Sequence, residues 1–112
     1  MQKFVPRDKH GPEWHIQKRI IKLLRGREWY VKETHGSAYQ SGFPDLFACH
    51  SKFGQRWIEV KNLKKYSFTA AQLECFPKFN AHGSGIWILV DATEDEYKKL
   101  MKPPNWYWYL KG

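Results

Sequence analysis

Three charged side chains, Asp45, Glu59 and Lys61, form the pattern in this sequence that is best suited to chemistry. Asp45 follows Pro44 in an apolar stretch, and the segment Glu59-Val60-Lys61 begins fourteen residues after Asp45. Alternate side chains of a strand share one face of a sheet, so Glu59 and Lys61 should point the same way while Val60 points into the core. If the two segments pair as a hairpin, Asp45 lies beside Glu59.

Two adjacent carboxylates repel each other and raise one pKa unless a cation lies between them. Mg²⁺ prefers oxygen ligands, usually one or two carboxylates with water and substrate phosphate. Asp45 and Glu59 supply such oxygens, and the main-chain carbonyl of Val60 could supply a third. The pattern predicts a site for Mg²⁺, with Mn²⁺ as a substitute, that polarises a phosphodiester and lowers the pKa of a water molecule. Lys61 could orient or deprotonate that water or offset phosphate charge, and the sequence leaves these roles open.

Composition favours a nucleic-acid partner. The 112 residues carry nineteen basic and eleven acidic side chains, a formal charge of +8, and a basic protein of this size suits a polyanion. The length predicts one domain, with residues 1–11 as a flexible arm. The longest apolar run, residues 86–90, is too short to cross a bilayer, and the N-terminus lacks a secretory signal. We therefore expect a soluble cytoplasmic protein with no membrane partner, in which Cys49 and Cys75 are buried thiols.

Apolar periodicity and turn residues predict the elements that must position this pattern. They are a helix over residues 12–25, strands over 28–33, 43–49 and 55–60, a helix opening at Thr69, a strand over 85–90, a helix over 93–101 and a strand over 106–110. Pro77 predicts a kink or an early stop in the second helix. The order α, β, β, β, α, β, α, β predicts an α/β fold, a mixed sheet flanked by helices.

The motif resembles that of the PD-(D/E)xK nuclease superfamily, here as Pro44-Asp45 and Glu59-Val60-Lys61. Within that superfamily the chain is most similar to the stand-alone VRR-NUC nucleases encoded by phages. Their pattern has a glycine shortly before the Pro-Asp pair, a glutamine opening the next helix and an acidic residue on the first helix. Gly42, Gln72 and Glu13 stand at the matching positions.

This resemblance covers about residues 12–90 and implies a restriction-endonuclease-like αβββαβ core. It also implies a homodimeric DNA endonuclease that cuts branched DNA such as four-way (Holliday) junctions, for a phage protein inside the host cell. Glu13 would be an outer or second metal ligand, and Gln72 would hold Lys61 or the nucleophilic water. Each has a structural alternative, since Glu13 suits a helix N-terminus and Thr69-x-x-Gln72 is a capping box. Structure and site can share both residues.

Basic and aromatic side chains around the motif are candidate DNA contacts: Lys64, Lys65, Tyr66, His35, Arg19 and Lys22. Lys64, Lys65 and Tyr66 directly follow the motif and could contact phosphate and stack on a base. His35 lies in a polar loop, and a solvated helix face is the alternative for Arg19 and Lys22. The aromatic run 106–109 is expected in the core or a subunit interface rather than stacked on bases.

Two other functions remain open. A non-enzymatic nucleic-acid-binding module would be indifferent to EDTA, although it would have little cause to keep a costly acidic pair. A nuclease of other specificity, nicking, flap-cutting or restriction-like, would use the same chemistry on other DNA. Comparing cleavage of linear duplex, single strand, flap and junction distinguishes these possibilities.

Overall fold

The computed structural model describes residues 11–34 and 41–110, so the predicted arm lies outside the described residues apart from Gly11. Along the chain the elements are α1 (Pro12–Arg25), β1 (Tyr30–Glu33), β2 (Leu46–His50), β3 (Gly54–Val60), α2 (Ala70–Ala81), β4 (Ile86–Leu89), α3 (Glu94–Lys98), a 3₁₀ helix (Lys99–Met101) and α4 (Trp106–Leu110). Within the described ranges, no helix has the length and apolar character needed to cross a membrane.

The strands form one mixed sheet in the order β1-β2-β3-β4. The first three are antiparallel neighbours, whereas β3 and β4 run parallel. The predicted hairpin is present, with Leu46 paired to Ile58 and His50 to Gly54. The predicted mixed sheet flanked by helices is therefore confirmed.

The two faces of the sheet bury different groups. One face packs against α1 in an apolar cluster that includes Ile20, Leu24, Ile58 and Val60. A second apolar cluster joins α2, β4 and α4 on the opposite face through Phe76, Ile86, Ile88 and Trp106. Successive side chains of β3 thus enter alternate layers, as the two-residue period of a strand requires.

The predicted last strand is wrong, because residues 106–110 form the helix α4. Pro103-Pro104 precedes it, and the Trp108 N–H donates to the Asn105 carbonyl over 3.1 Å to close the first turn. Trp106 is buried against Phe76, with ring centroids 5.8 Å apart, whereas Trp108 is exposed. A helical turn places one side of the aromatic run in the core and leaves the other outside.

The outer edge of β4 is occupied by a side chain rather than by another strand. The Ile88 N–H donates to Asn105 Oδ1 at 2.6 Å, and Asn105 Nδ2 donates to the Ile88 carbonyl at 3.1 Å. One amide thus satisfies both backbone groups, as a fifth strand would. At Ile88, β4 therefore has no free backbone group with which the following aromatic run could pair as a strand.

Of the two outcomes expected at Pro77, a kink or an early stop, the early stop is wrong, because the helix α2 continues to Ala81. The loss of one backbone donor is tolerated there. Cys49 and Cys75 are half-buried free thiols rather than fully buried ones. The predicted helix over 93–101 is present as α3 followed by the 3₁₀ helix, with Thr93 capping its start.

Candidate active site

The start of β2 and the end of β3 bring Asp45 beside Glu59. The Asp45 N–H donates to Glu59 Oε1 over 3.1 Å, and the Val60 N–H donates to Asp45 Oδ2 over 2.8 Å. These contacts continue the β2–β3 pairing past its last backbone pair, Leu46 with Ile58. Side-chain carboxylates therefore take the place of main-chain partners where the strands diverge.

The carbonyl of Val60 is directed to the same side as these carboxylates. In a strand, the N–H and C=O of one residue point toward the same neighbouring strand. The Val60 N–H faces Asp45, whereas the Lys61 N–H faces β4 and donates to the Leu89 carbonyl at 3.2 Å. The arrangement thus offers two carboxylates and one carbonyl on the Asp45 side of β3, a set of hard oxygen donors.

The ammonium of Lys61 is held by three acceptors. Its Nζ lies 2.9 Å from Glu59 Oε2 and donates to the Ser67 carbonyl at 2.8 Å and to Gln72 Oε1 at 3.1 Å. The same Nζ lies 4.6 Å from the ring centroid of Phe68, a cation–π contact. An ammonium has three N–H donors, so every one of them is engaged, and the side chain is only 4% exposed.

Gln72 links the site to the start of α2. Its Nε2 donates to Glu59 Oε2 at 2.7 Å, and its Oε1 accepts from both Lys61 Nζ and the Thr69 N–H. Thr69 Oγ1 accepts in turn from the Gln72 N–H at 3.1 Å, which completes the predicted capping box. The side chain of Gln72 therefore both caps α2 and contacts Glu59 and Lys61.

Burial and the neighbouring charge of Asp45 raise the pKa of Glu59 to about 8, against the opposing effects of Lys61 and Gln72. Glu59 is 2% exposed, so water solvates its negative charge only weakly. A carboxyl group under these conditions gains from a cation placed beside it. The Lys61 ammonium, 2.9 Å from Glu59 Oε2, is one such cation, and a second could lie between Glu59 and Asp45.

Glu13 lies within electrostatic reach of the same groups. Burial chiefly raises the pKa of Glu13, the charge of Lys61 lowers it, and the charge of Asp45 raises it further. No cluster of three or more acidic, histidine or cysteine side chains suited to a metal occurs among the described residues, so Glu13, Asp45 and Glu59 do not form such a cluster in this structure.

Two residues fix the segment that carries Asp45. Thr34 Oγ1 donates to the Pro44 carbonyl, and the Thr34 N–H donates to the Asp45 carbonyl at 2.9 Å. Gly42 has a φ of +85°, and a Cβ there would lie 2.5 Å from the Ala71 carbonyl oxygen. Gly42 belongs to the predicted motif, whereas no sequence signal marked Thr34.

The candidate DNA contacts fall into two groups. Lys64 and Lys65 are exposed on the loop after β3, and Arg19 faces Lys64 across a groove of about 550 Å³. Lys22 shares the next groove along α1 with Arg19. These four cations, called here the basic strip, are of the kind that contacts phosphate, although Arg19 is also paired with Asp91 over 3.6 Å.

The other candidates are placed differently. Tyr66 is half-buried, and its hydroxyl donates to the Tyr109 carbonyl at 2.9 Å, so its ring is part of the packing against α4 rather than a platform in solvent. His35 lies outside the described residues.

Comparison with known proteins identifies no relative. No family model, curated protein or solved structure matches this chain. Functional assignment therefore depends on the chemistry of the site.

Proposed function

We propose that this protein is a metal-dependent endonuclease that hydrolyses DNA phosphodiester bonds, with branched DNA such as four-way junctions as its substrates. The observation that carries the proposal is the contact of Asp45 with Glu59 at the ends of paired strands, with Lys61 held beside them. The order of elements from α1 to β4 is αβββαβ. That order supports a restriction-endonuclease-like core.

The donor set fits Mg²⁺, with Mn²⁺ as a substitute. Asp45, Glu59 and the Val60 carbonyl would hold the ion, and Glu13 would act through water or on a second ion. When bound, the ion would polarise the phosphodiester and lower the pKa of the attacking water. The raised pKa of Glu59 supports this assignment, because it reports negative charge that the protein alone does not fully compensate.

Lys61 serves in this proposal as a fixed positive charge beside the scissile phosphate. Its three donors are occupied by Glu59, Ser67 and Gln72, which favours electrostatic stabilisation over removal of a proton from water. Gln72 sets the distance between Glu59 and Lys61 by bonding to both. It is therefore a positioning residue.

The substrate class follows from charge and symmetry. Lys64, Lys65, Arg19 and Lys22 would contact phosphates on either side of the site and fix the register of the DNA. A homodimer would present two sites related by a two-fold axis, which suits the symmetry of a four-way junction.

The test is a cleavage panel of four-way junction, flap, linear duplex and single strand, each with Mg²⁺, Mn²⁺, Ca²⁺ or EDTA. We expect junction cleavage with Mg²⁺ or Mn²⁺ and none with EDTA. Asp45→Asn should lower the rate by about a thousandfold, since a lost ligand costs several kcal/mol of charge stabilisation. Asp95→Asn, at an exposed position in α3, is the control and should retain activity.

An Asp45→Asn protein that cuts as fast as the wild type would refute the site assignment. DNA binding that EDTA leaves unchanged, with no cleavage of any substrate, would identify a non-enzymatic binding module, which the basic strip alone would support. Preferential cutting of flaps or linear duplex would retain the chemistry and replace the proposed substrate. A mass measurement in solution tests the dimer.

A further inference from the structure

A groove of about 700 Å³ lies between the loop after β3 and α4. Its lining is mainly apolar and includes Tyr66, Lys99, Lys102, Pro104, Asn105 and Trp108, and none of the described residues that line it is acidic. Trp108 is 74% exposed, whereas the other five tryptophans are buried or half-buried. An indole presented to solvent beside lysine side chains is the feature that requires explanation.

We propose that this groove binds an unpaired nucleobase of a DNA strand, stacked on Trp108, with Lys102 contacting an adjacent phosphate. The inference rests on the proposed function and deepens it by naming a substrate feature. Every base has a π face, so stacking on an aromatic ring tolerates any sequence. The combination of exposed indole and exposed ammonium matches the two chemical parts of a nucleotide.

Charge favours DNA over a second copy of the chain. Lys99 is neutralised by Glu96, 2.5 Å away, and donates to the Tyr109 hydroxyl at 2.8 Å. Among the described residues that line the groove, this leaves the exposed Lys102 as the cation available to a ligand. A two-fold contact sets the same surface against itself, so two such grooves would face each other with basic side chains and with no acidic side chain among their described lining residues. A phosphate removes that repulsion.

The groove and the candidate active site share the loop after β3. Tyr66 lines the groove, and the next residue, Ser67, provides the carbonyl that holds Lys61 Nζ at 2.8 Å. Lys64 and Lys65 are exposed on the same loop. We expect a strand that leaves the acidic pair to run over these lysines toward Trp108, so that the groove takes a base that comes unpaired at the branch point of a junction.

The test uses the full chain in EDTA, so that binding is measured without cleavage. Oligothymidylate is titrated while tryptophan emission is recorded, in parallel with a strand of equal length made of abasic nucleotides. We expect quenching by oligothymidylate and about tenfold weaker binding in Trp108→Ala, with no change for the abasic strand. Trp108→Phe should retain most of the affinity, and Lys102→Gln should lower the salt dependence by about one phosphate contact.

The matched control is Tyr30→Ala, which removes another exposed aromatic ring, 58% exposed on β1, and should leave both affinities unchanged. Thermal melts establish that each variant folds. An equal loss on the abasic strand would overturn the stacking proposal. A change from dimer to monomer in Trp108→Ala would also overturn it and assign the groove to a subunit contact.

The two proposals can fail separately. Base-dependent binding at Trp108 without cleavage of any substrate would refute the nuclease and leave the stacking site. Metal-dependent cleavage that is equally fast on a junction with all its bases and on one with abasic nucleotides at the branch point, and is unchanged in Trp108→Ala, would refute the stacking site and leave the nuclease.

Discussion

Near its end, β3 directs apolar side chains to one face of the sheet and charged side chains to the other, and both kinds are buried. Ile58 and Val60 are fully buried against α1, where the removal of apolar surface from water stabilises the fold. Glu59 and Lys61 are almost as deeply buried on the face toward α2, where removing charge from water costs free energy that the pair recovers only through good geometry. Equal burial therefore stabilises the fold on one face and, in the proposed function, serves chemistry on the other.

Glu59→Gln should give the largest effect and separate the two faces most clearly. We expect cleavage to fall by about a thousandfold or more, because the variant loses a metal-binding carboxylate. The free energy of unfolding should also fall, by about 1–3 kcal/mol, because both carboxyl oxygens accept from N–H donors and the amide nitrogen of glutamine would face one of those donors. Glu74→Gln, exposed on α2, is the control, and an unfolded or fully active Glu59→Gln would contradict the comparison.

Ile58→Ala tests the opposite face. The loss of a fully buried side chain should lower the free energy of unfolding by about 2–5 kcal/mol, measured by urea denaturation. Metal-dependent cleavage should persist below the melting temperature of the variant. Selective loss of cleavage with unchanged stability would show that the two faces are not separate in function.

Gly42→Ala probes the close approach between the Asp45 segment and α2. Gly42 and Gly83 both have a φ of +85°, but only at Gly42 would a Cβ meet backbone, 2.5 Å from the Ala71 carbonyl oxygen. Gly83→Ala therefore measures the cost of the backbone conformation alone. We expect Gly42→Ala to be less stable than Gly83→Ala by about 1–3 kcal/mol, the cost of overpacking, and to cut more slowly. Equal stabilities would contradict a steric requirement.

For each unit of pH, we expect a smaller change in the free energy of unfolding than the substitutions above produce. The pKa of Glu59 is about 8 in the folded chain, above its ordinary value of 4.5, so the folded state binds the extra proton between these values. The free energy of unfolding of the metal-free protein should fall as pH rises from about 4.5 to about 8, by at most about 1.4 kcal/mol per unit. Glu59→Gln should remove this slope. Identical profiles for the two proteins would refute the assignment.

Mg²⁺ affinity should change in the opposite direction. Binding of the ion requires the ionised carboxylate, so affinity should increase as pH rises toward about 8. Calorimetric titration of the full chain at several pH values measures this. An affinity that is independent of pH between 6 and about 8 would show that Glu59 is not a ligand.

The parts of the site carried by β2 and β3 could be predicted because a strand's two-residue period fixes which side chains share a face. Once the hairpin was inferred, the proximity of Asp45 to Glu59 followed. The capping box at Thr69 and Gln72 could also be predicted, since both partners belong to one helical turn. In each case the signal is local in the sequence.

Contacts made over long range, or by the backbone, could not be predicted in this way. The hydroxyl and the N–H of Thr34 donate to the main-chain carbonyls of Pro44 and Asp45. The Ser67 carbonyl accepts from Lys61, but every residue type has a carbonyl, so the sequence does not mark this position. The aromatic run of α4 has strong β propensity, and its helical conformation depends on tertiary packing. Local preference was overruled there by the packing of Trp106.

The amide of Asn105 also limits how this sheet can grow. An unpaired outer strand offers its backbone to other molecules and can begin aggregation or strand exchange. At Ile88 both backbone groups are already bonded to Asn105, so an incoming chain would have to displace that amide before pairing there. Asn105→Ala should therefore promote self-association through β4, and one side chain sets the width of the sheet at this edge.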